Sequence, residues 1–513
     1  MNPRRLFAGT LPVLLTATLA ASAFAVASAF AVASADKPAD RQAPGGQAGP
    51  TTSGMVLKGK APISNEILKV KLPRPQSATL PNGLQVMVLE DRSLPQINFQ
   101  LIIPGAGGYY DPADKIGLAQ YTAQMMREGT KTRNTLQMAQ ELETMAANVS
   151  VGAGLSSQTA TVSGGALTEN FDRLFDIALD VLMNPIFPAE EWERAKARAK
   201  SGLVQQRTNP GFLSSERYSR ILYGDHPAGR VTVTAAGLDA ITRDAMAEFH
   251  RTHYVPDHAL IAFAGDISLA EARKKVEAGL GAWKKAGVPK PTTTEPPTPG
   301  APKVTLVARP GSVQTLMRVG GPSMTRMHED FEELTVANRV LGGTMGRLFR
   351  HLREEKGYTY GIGSSFSASQ YRGDWSASTS VRTAVTEAAL TDLLAEIAEM
   401  REKPVPASEF EDAKRAIQAS FALSLENPAA ILSYYVQSWT FGLPADYWDT
   451  YPAKIAAVTP AQAQAAAKKY WDPARLHIVA VGDAPAVGEI LGKKGTLEVF
   501  DADGNPLPSG PGK

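Results

Sequence analysis

The chain has 513 residues, too many for one domain by ordinary size scaling and enough for large buried cores. Its 53 Lys and Arg against 51 Asp and Glu leave a formal charge of +2, which excludes recognition of nucleic acid or of an acidic partner by electrostatics alone. There is no cysteine, so disulfides, thiol catalysis and a Cys-borne lipid anchor are excluded too.

At the N-terminus, Arg4 and Arg5 precede an apolar run from Leu6 to Ala35 that closes on Ala33-Ser34-Ala35. A basic head, apolar middle and small-residue exit make residues 1–35 an expected secretory signal, directing export to a bacterial periplasm. A tandem Ala-Ser-Ala-Phe-Ala-Val at 21–26 and 27–32 makes the run long enough to span a bilayer, so an uncleaved anchor is the alternative. Ala and Ser dominate where an anchor favours Leu and Ile, which favours cleavage. Residues 36–75, rich in Pro, Gly, Ala and Lys without periodicity, read as a flexible arm.

Asn82-Gly83 signals a turn. The β-prone runs Leu84 to Glu90 and Gln96 to Ile103, either side of Pro95, are expected to pair as neighbouring strands. Leu118 to Met126 reads as a helix, and a second follows with Leu136, Ala139, Leu142 and Met145 at helical spacing and Thr135 as its cap. Residues 149–154 and 159–167 alternate small and apolar side chains as strands do. Helical patterning then covers Phe171 to Leu182, Ala189 to Gln206, Leu213 to Leu222 and Arg243 to His253, before a buried-type strand at Ala259 to Asp266. The Pro-rich residues 287–302 form a linker.

The second half repeats the first. Pro188 recurs as Pro406, Lys196 as Lys414, Asn209-Pro210 as Asn427-Pro428 and Gly224 as Gly442, all at an offset of 218; Gly265-Asp266 recurs as Gly482-Asp483 at 217. Two homologous domains are therefore expected, at 76–286 and 303–495, with 496–513 as a tail. The mixture of strands and helices gives each an α+β, layered α/β architecture: a mostly antiparallel sheet with helices packed on it.

A zinc hydrolase needs three protein ligands and a nearby carboxylate base, and the chain has seven His to supply them. His250, His253 and His258 lack a Glu in catalytic register, and His328-Glu329 has Glu332 where a second His would stand. His226 and His351 sit alone and read as surface groups. No Gly-x-Ser-x-Gly elbow is present, and the Gly361 to Ser365 stretch lacks the Lys and following helix of a phosphate loop. What stands out is Leu341 to Ala368. A helix carrying Arg347, Arg350 and Arg353 ends at Gly357 and a Tyr-rich strand follows, so Arg353 and Tyr360 can face one pocket as donors to a peptide carbonyl and its oxyanion. The plainer reading is an Arg capping helix carbonyls beside a packed Tyr.

On the Asn-Gly strand entry, the Gly117 to Gly129-Thr130 frame, the Phe187 to Lys196 helix, the Leu341 to Tyr360 block and the duplication, the chain resembles the insulinase/pitrilysin family of inverted-motif zinc peptidases. The resemblance covers nearly all of 76–495 and points to the half-length class of paired subunits, such as the mitochondrial processing peptidase. In that family the first frame bears His-x-x-Glu-His, with a third ligand Glu on a later helix. Here those places read Gln120, Ala123 and Gln124, and Arg194 to Gln206 contains no acid. The family's Arg and Tyr match Arg353 and Tyr360. The resemblance thus implies a half-shell without zinc of its own, a zinc-less subunit whose partner, a homologue bearing His-x-x-Glu-His, carries the metal. It also implies a peptide or unfolded polypeptide as substrate, gripped by Arg353 and Tyr360. The alternative is a structural or peptide-holding homologue with no part in proteolysis.

Overall fold

Period-two patterning makes strands whose inward side chains, among them Val86, Val88, Ile97, Phe99 and Leu101, are no more than 5% exposed. The computed structural model describes residues 68–508; the expected signal and most of the expected arm lie outside them. The first half runs β1 (Gln76–Thr79), β2 (Gln85–Glu90), β3 (Gln96–Pro104), α1 (Leu118–Met125), α2 (Thr135–Thr144), β4 (Asn148–Ala153) and β5 (Thr159–Leu167). It continues with α3 (Phe171–Met183), α4 (Ala189–Gln206), α5 (Pro210–Tyr223), α6 (Ala235–Ala240), α7 (Arg243–His253), β6 (Leu260–Gly265) and α8 (Leu269–Leu280).

The second half repeats the plan with β7 (Val304–Ala308), β8 (Gln314–Pro322), α9 (Phe331–Gly342), β9 (Thr359–Phe366), β10 (Asp374–Arg382), α10 (Thr386–Glu402) and α11 (Ala407–Ser424). Then come α12 (Pro428–Phe441), α13 (Tyr447–Ala457), α14 (Pro460–Tyr470), β11 (His477–Gly482), α15 (Ala484–Gly492), β12 (Leu497–Phe500) and β13 (Pro506–Leu507). The sheets are ordered β1-β2-β6-β3-β5-β4 and β13-β12-β7-β11-β8-β10-β9. Pairing is antiparallel except where β6 meets β2 and where β7 meets β11 and β12.

Several expectations need correction. β2 and β3 are not neighbours, because β6, buried along its whole length, inserts between them. Burying that strand on both faces outweighs the short connection that favoured a hairpin. The cap of α2 is Asn134, not Thr135: its side chain accepts from Gln137 N–H while Gln137 accepts from Asn134 N–H. The end of the expected arm is docked, with Leu72 2% exposed and its N–H donating to Asp449 Oδ1 at 2.9 Å. The expected tail contributes β12, which extends the second sheet alongside β7.

The halves also exchange helices. α5 packs on β8 and β11 of the second sheet, and its repeat-mate α12 packs on β6 of the first. Each starts the same way, with an Asn side chain (Asn209, Asn427) accepting from the first backbone N–H groups and Pro at the first helical position. Tyr218 Oη donates to Trp375 O at 2.5 Å and Tyr223 Oη to Asp374 Oδ1 at 2.9 Å, while Trp439 Nε1 reaches Gln85 Oε1 at 2.9 Å. The linker has neither helix nor strand but is tied down: Thr294 N–H donates to Tyr109 Oη at 2.9 Å and Arg372 N–H to Glu295 Oε1 at 3.2 Å.

Candidate functional site

Two regions carry the residues singled out by the sequence. The first is α1 and its frame. Gly117 enters the helix at φ +104°, a conformation glycine adopts without strain. Asp111, 5% exposed, caps the helix: its carboxylate accepts from Gly117 N–H at 2.7 Å and Ala119 N–H at 2.8 Å. Burial pushes its pKa up to about 6, against the pull of those donors and of nearby Arg230. Beyond the helix, Asp180 accepts from Thr130, Thr132, Asn184 and Arg133 at 2.5–3.2 Å. Burial works to raise the Asp180 pKa, but these hydrogen bonds outweigh it and hold the carboxyl below its usual range.

On this rigid frame Ala123 is fully buried in the core, Gln120 is half-buried and Gln124 is exposed. The two glutamines line a cleft of about 550 Å³ whose other walls are Val151 to Ala153 of β4, the turn Gly154 to Ser156, and Arg230 with Val231. β4 is the outermost strand of its sheet. A smaller pocket of about 320 Å³ adjoins it, sharing Gln124 and Val151 and lined further by Arg127, Glu128, Thr135, Met138, Ala139 and Leu142. Two neutral amides and a methyl group do not fit the zinc held at this frame in the insulinase family: amides are poor ligands, and Ala123 cannot take a proton. The acids opening α4 are spent on Arg194 and Lys196. Among the described residues no three His, Cys, Asp or Glu side chains gather as a metal site.

The histidines have structural partners. His250 and His253 donate to Leu182 O at 2.7 Å and Gly105 O at 2.8 Å, and burial lowers the pKa of both. His226 and His351 are not the lone surface groups expected. His226 Nε2 bonds Thr294 Oγ1 at 2.9 Å, and His351 Nδ1 bonds Glu396 at 2.7 Å.

The second region is the Arg353–Tyr360 pair, which the structure brings together. Residues Phe349–Glu355 form a π-helical turn anchored by fully buried Leu352, a geometry frequent at functional sites. Arg347, 8% exposed, is fixed by Glu409 through contacts of 2.9–3.1 Å, and Arg350 reaches the same carboxylate. Arg353 is left over. Its guanidinium carbon lies 4.5 Å from the Phe349 ring centroid and 5.0 Å from that of Tyr360, and its ion-pair contact is Glu354 at 3.4 Å. Tyr360 stands on β9, the free edge of the second sheet, where pairing shifts between Thr379–Ile362 and Val381–Thr359. Two residues there oppose one, a β-bulge that re-aims a side chain, and Tyr360 is 80% exposed. Neither cleft of the first half is lined by Arg353 or Tyr360. Sequence reasoning missed the π-turn, the bulge and the role of Glu409, whose signal was its place in the repeated segment after Pro406.

Comparison with known proteins agrees with this anatomy. The insulinase (peptidase family M16) family model matches residues 86–235, and that of the peptidase M16 inactive domain matches 240–417. An uncharacterized zinc protease of Streptomyces coelicolor is 24% identical over 400 residues, 76% of this chain and 86% of the relative. One from Bacillus subtilis is 23% identical over 357 residues, 69% and 85% of the two chains. The solved peptidase M16 inactive domain of Pseudomonas fluorescens is 27% identical with a TM-score of 0.73, covering 80% of this chain and 98% of its own. A Helicobacter pylori protease shares the fold at TM-score 0.73 and 16% identity, over 80% of this chain and 100% of that one. With both halves matched in turn and the frame for the metal carrying amides, the chain belongs to the insulinase (peptidase M16) family and fits its half-length, zinc-less class.

Proposed function

We propose that this chain is the non-catalytic subunit of an exported heterodimeric zinc endopeptidase, with residues 1–35 as its signal or uncleaved anchor. The observation that carries the reading is that Arg353 is spared from the ion pairs that consume Arg347 and Arg350, and is stacked on a tyrosine left 80% exposed. The partner, a homologue with His-x-x-Glu-His, supplies the metal chemistry. This chain's part is to hold the peptide carbonyl: Tyr360 O–H and Arg353 N–H donate to its oxygen and more strongly to the oxyanion that develops from it. Replacing Tyr360 with Phe removes one such donor and should lower turnover of the mixed subunits roughly ten- to a thousandfold. Unchanged turnover would end the assignment. An adjacent exported homologue with the intact motif is the natural candidate partner.

A second reading, a peptide-holding protein with no part in cleavage, is favoured by the cleft that survives where the zinc ligands are gone. It requires peptide binding that alters activity in no mixture.

A further inference from the structure

We propose that His351 is a positioning residue for the Arg353–Tyr360 pair: it ties the π-turn to α10, and the tie tightens when its ring is protonated. The consequence for turnover rests on the reading of Arg353 and Tyr360 as carbonyl donors, whereas the tie itself does not.

The turn has a register to lose. Lys356 N–H donates to His351 O at 3.0 Å, the i→i+5 bond of a π-turn, and Tyr358 N–H donates to Leu352 O at 3.0 Å. An α-turn closes one residue earlier, so a slip between the two registers swings the following side chains by about 100°. Three basic side chains oppose that slip. Arg347 and Arg350 share Glu409 of α11, and His351 reaches α10. Arg353 comes two residues after His351, about half a turn round the axis, so the face tied to α10 lies opposite the face that meets Tyr360. Fixing the one therefore aims the other.

Of the three ties, the one through histidine changes its charge between pH 5 and 8, while the two arginines stay charged. His351 Nδ1 lies 2.7 Å from Glu396 Oε1, and Nε2 lies 3.8 Å from Asp392 Oδ2. Asp392 and Glu396 stand four residues apart on α10, so they present one face to the ring. An ionised carboxylate only accepts, so Nδ1 carries the proton of the neutral ring and Nε2 turns a lone pair on Asp392. Protonation converts that repelling contact into a donor, and the ring then bridges both carboxylates.

The other charges nearby are already engaged. On α10, Glu399 has Lys403 at 3.7 Å and Arg347 at 3.8 Å, and Glu387 has Lys493 of α15 at 3.3 Å. Lys494 of α15 bonds Thr391 at 3.4 Å, Glu409 of α11 holds its two arginines, and Glu354 of the turn contacts Arg353. β9 adds the Tyr360 phenol. Among the described residues, Asp392 and Glu396 have His351 as their one ion-pair partner.

The test is hydrogen exchange by mass spectrometry on the full single chain at pH 5.5 and pH 8. Rates are corrected for the intrinsic pH dependence of exchange and referred to β8 and β11 of the same molecule. Residues 349–360 should be protected roughly three- to tenfold more at pH 5.5, the scale of one charge-assisted contact open in part to solvent. His351→Gln, which keeps a neutral donor, should abolish the difference. Asp392→Asn, which offers Nε2 an N–H to accept, should reduce it by slowing exchange at pH 8. If His351→Gln fails to fold, Asp392→Asn decides. Equal protection at the two pH values in the wild-type chain overturns the proposal, as does a difference that keeps its wild-type size in either variant. In mixtures with the partner, the ratio of wild-type to His351→Gln kcat should be larger at pH 5.5 than at pH 8 by a similar factor, with KM unchanged. A ratio independent of pH, where Tyr360→Phe does lower turnover, overturns the positioning role. If Tyr360→Phe changes nothing, the reading of the pair falls, and the exchange experiment still decides the tie.

Discussion

Removing the Tyr218 side chain should loosen both sheets, although Tyr218 lies in the first half of the sequence and packs on the second sheet. The ring is 3% exposed, its hydroxyl donates to Trp375 O at 2.5 Å, and the Arg318 guanidinium carbon lies 5.3 Å from its centroid. Burial raises the phenol pKa far above its ordinary value, so it remains a protonated donor throughout the working range. The site has no slack: a Cβ on Gly320 would overlap the Tyr218 hydroxyl and Trp375 O. A cavity there cannot close, so Tyr218→Ala should cost about 3–5 kcal/mol, the range for large aromatic truncations. Tyr218→Phe, which removes only the hydrogen bond, should cost about 1 kcal/mol. Hydrogen exchange read by mass spectrometry can follow the two sheets separately. Because α5 and α12 are traded between halves, the Ala variant should speed exchange in β3 and β6 as well as in β8 and β11. For amides that exchange by global opening, a loss of about 4 kcal/mol means roughly a thousandfold. Acceleration confined to β8 and β11, with the first sheet unchanged, would refute the coupling.

Acidification below pH 6.5 should destabilise the chain through its buried histidines, with Asp111, whose pKa burial raises to about 6, working in the opposite direction. His250 and His253 have folded-state pKa values lowered, by burial first, from an unfolded value of 6.5. Their stabilisation is complete above pH 6.5 and declines as pH falls through the lowered values, by up to about 1.4 kcal/mol per pH unit for each histidine. Urea midpoints at pH 7 and 5.5 test this, and a His250→Gln, His253→Gln variant should show a flatter dependence. Gly342→Ala should also destabilise, because a Cβ there overlaps Ser364 Oγ and backbone nitrogen on β9. About 1–3 kcal/mol is expected from such overpacking, read as a lower urea midpoint, and an unchanged midpoint would show that β9 yields freely.

What the sequence revealed and hid follows from the range of the forces involved. Helices α3, α4 and α7 end close to their expected bounds because their patterning is local. The repeat is equally local, since each half keeps its Asn-Pro helix entry and its buried Gly-Asp strand end. That β6 separates β2 from β3, or that α5 lies on the other half's sheet, cannot be read from periodicity: the apolar stripe of α5 is the same whichever sheet covers it. The Gln120, Ala123 and Gln124 positions were legible because chemistry lost at a fixed frame is a matter of residue identity. Separating Arg353 from Arg347 and Arg350 required Glu409, 62 residues beyond Arg347, and the aim of Tyr360 required a bulge set by register rather than composition.

The segment before β1 has a consequence for the order of events in synthesis. Leu68, Val70 and Leu72 pack among Ile431, Leu432, Tyr435 and Trp448, and Leu72 bonds to Asp449 across a separation of 377 residues. A chain emerging from its N-terminus holds those apolar side chains uncovered until nearly all the rest has been made. The first sheet is in the same position, since Leu260, Ala262 and Ala264 of β6 wait for α12. A product truncated ahead of α12 therefore leaves both the apolar side chains of Leu68, Val70 and Leu72 and the α12-facing side of β6 uncovered, the kind of surface that chaperones and proteases engage. Completion of the chain is thereby made a condition for hiding its beginning.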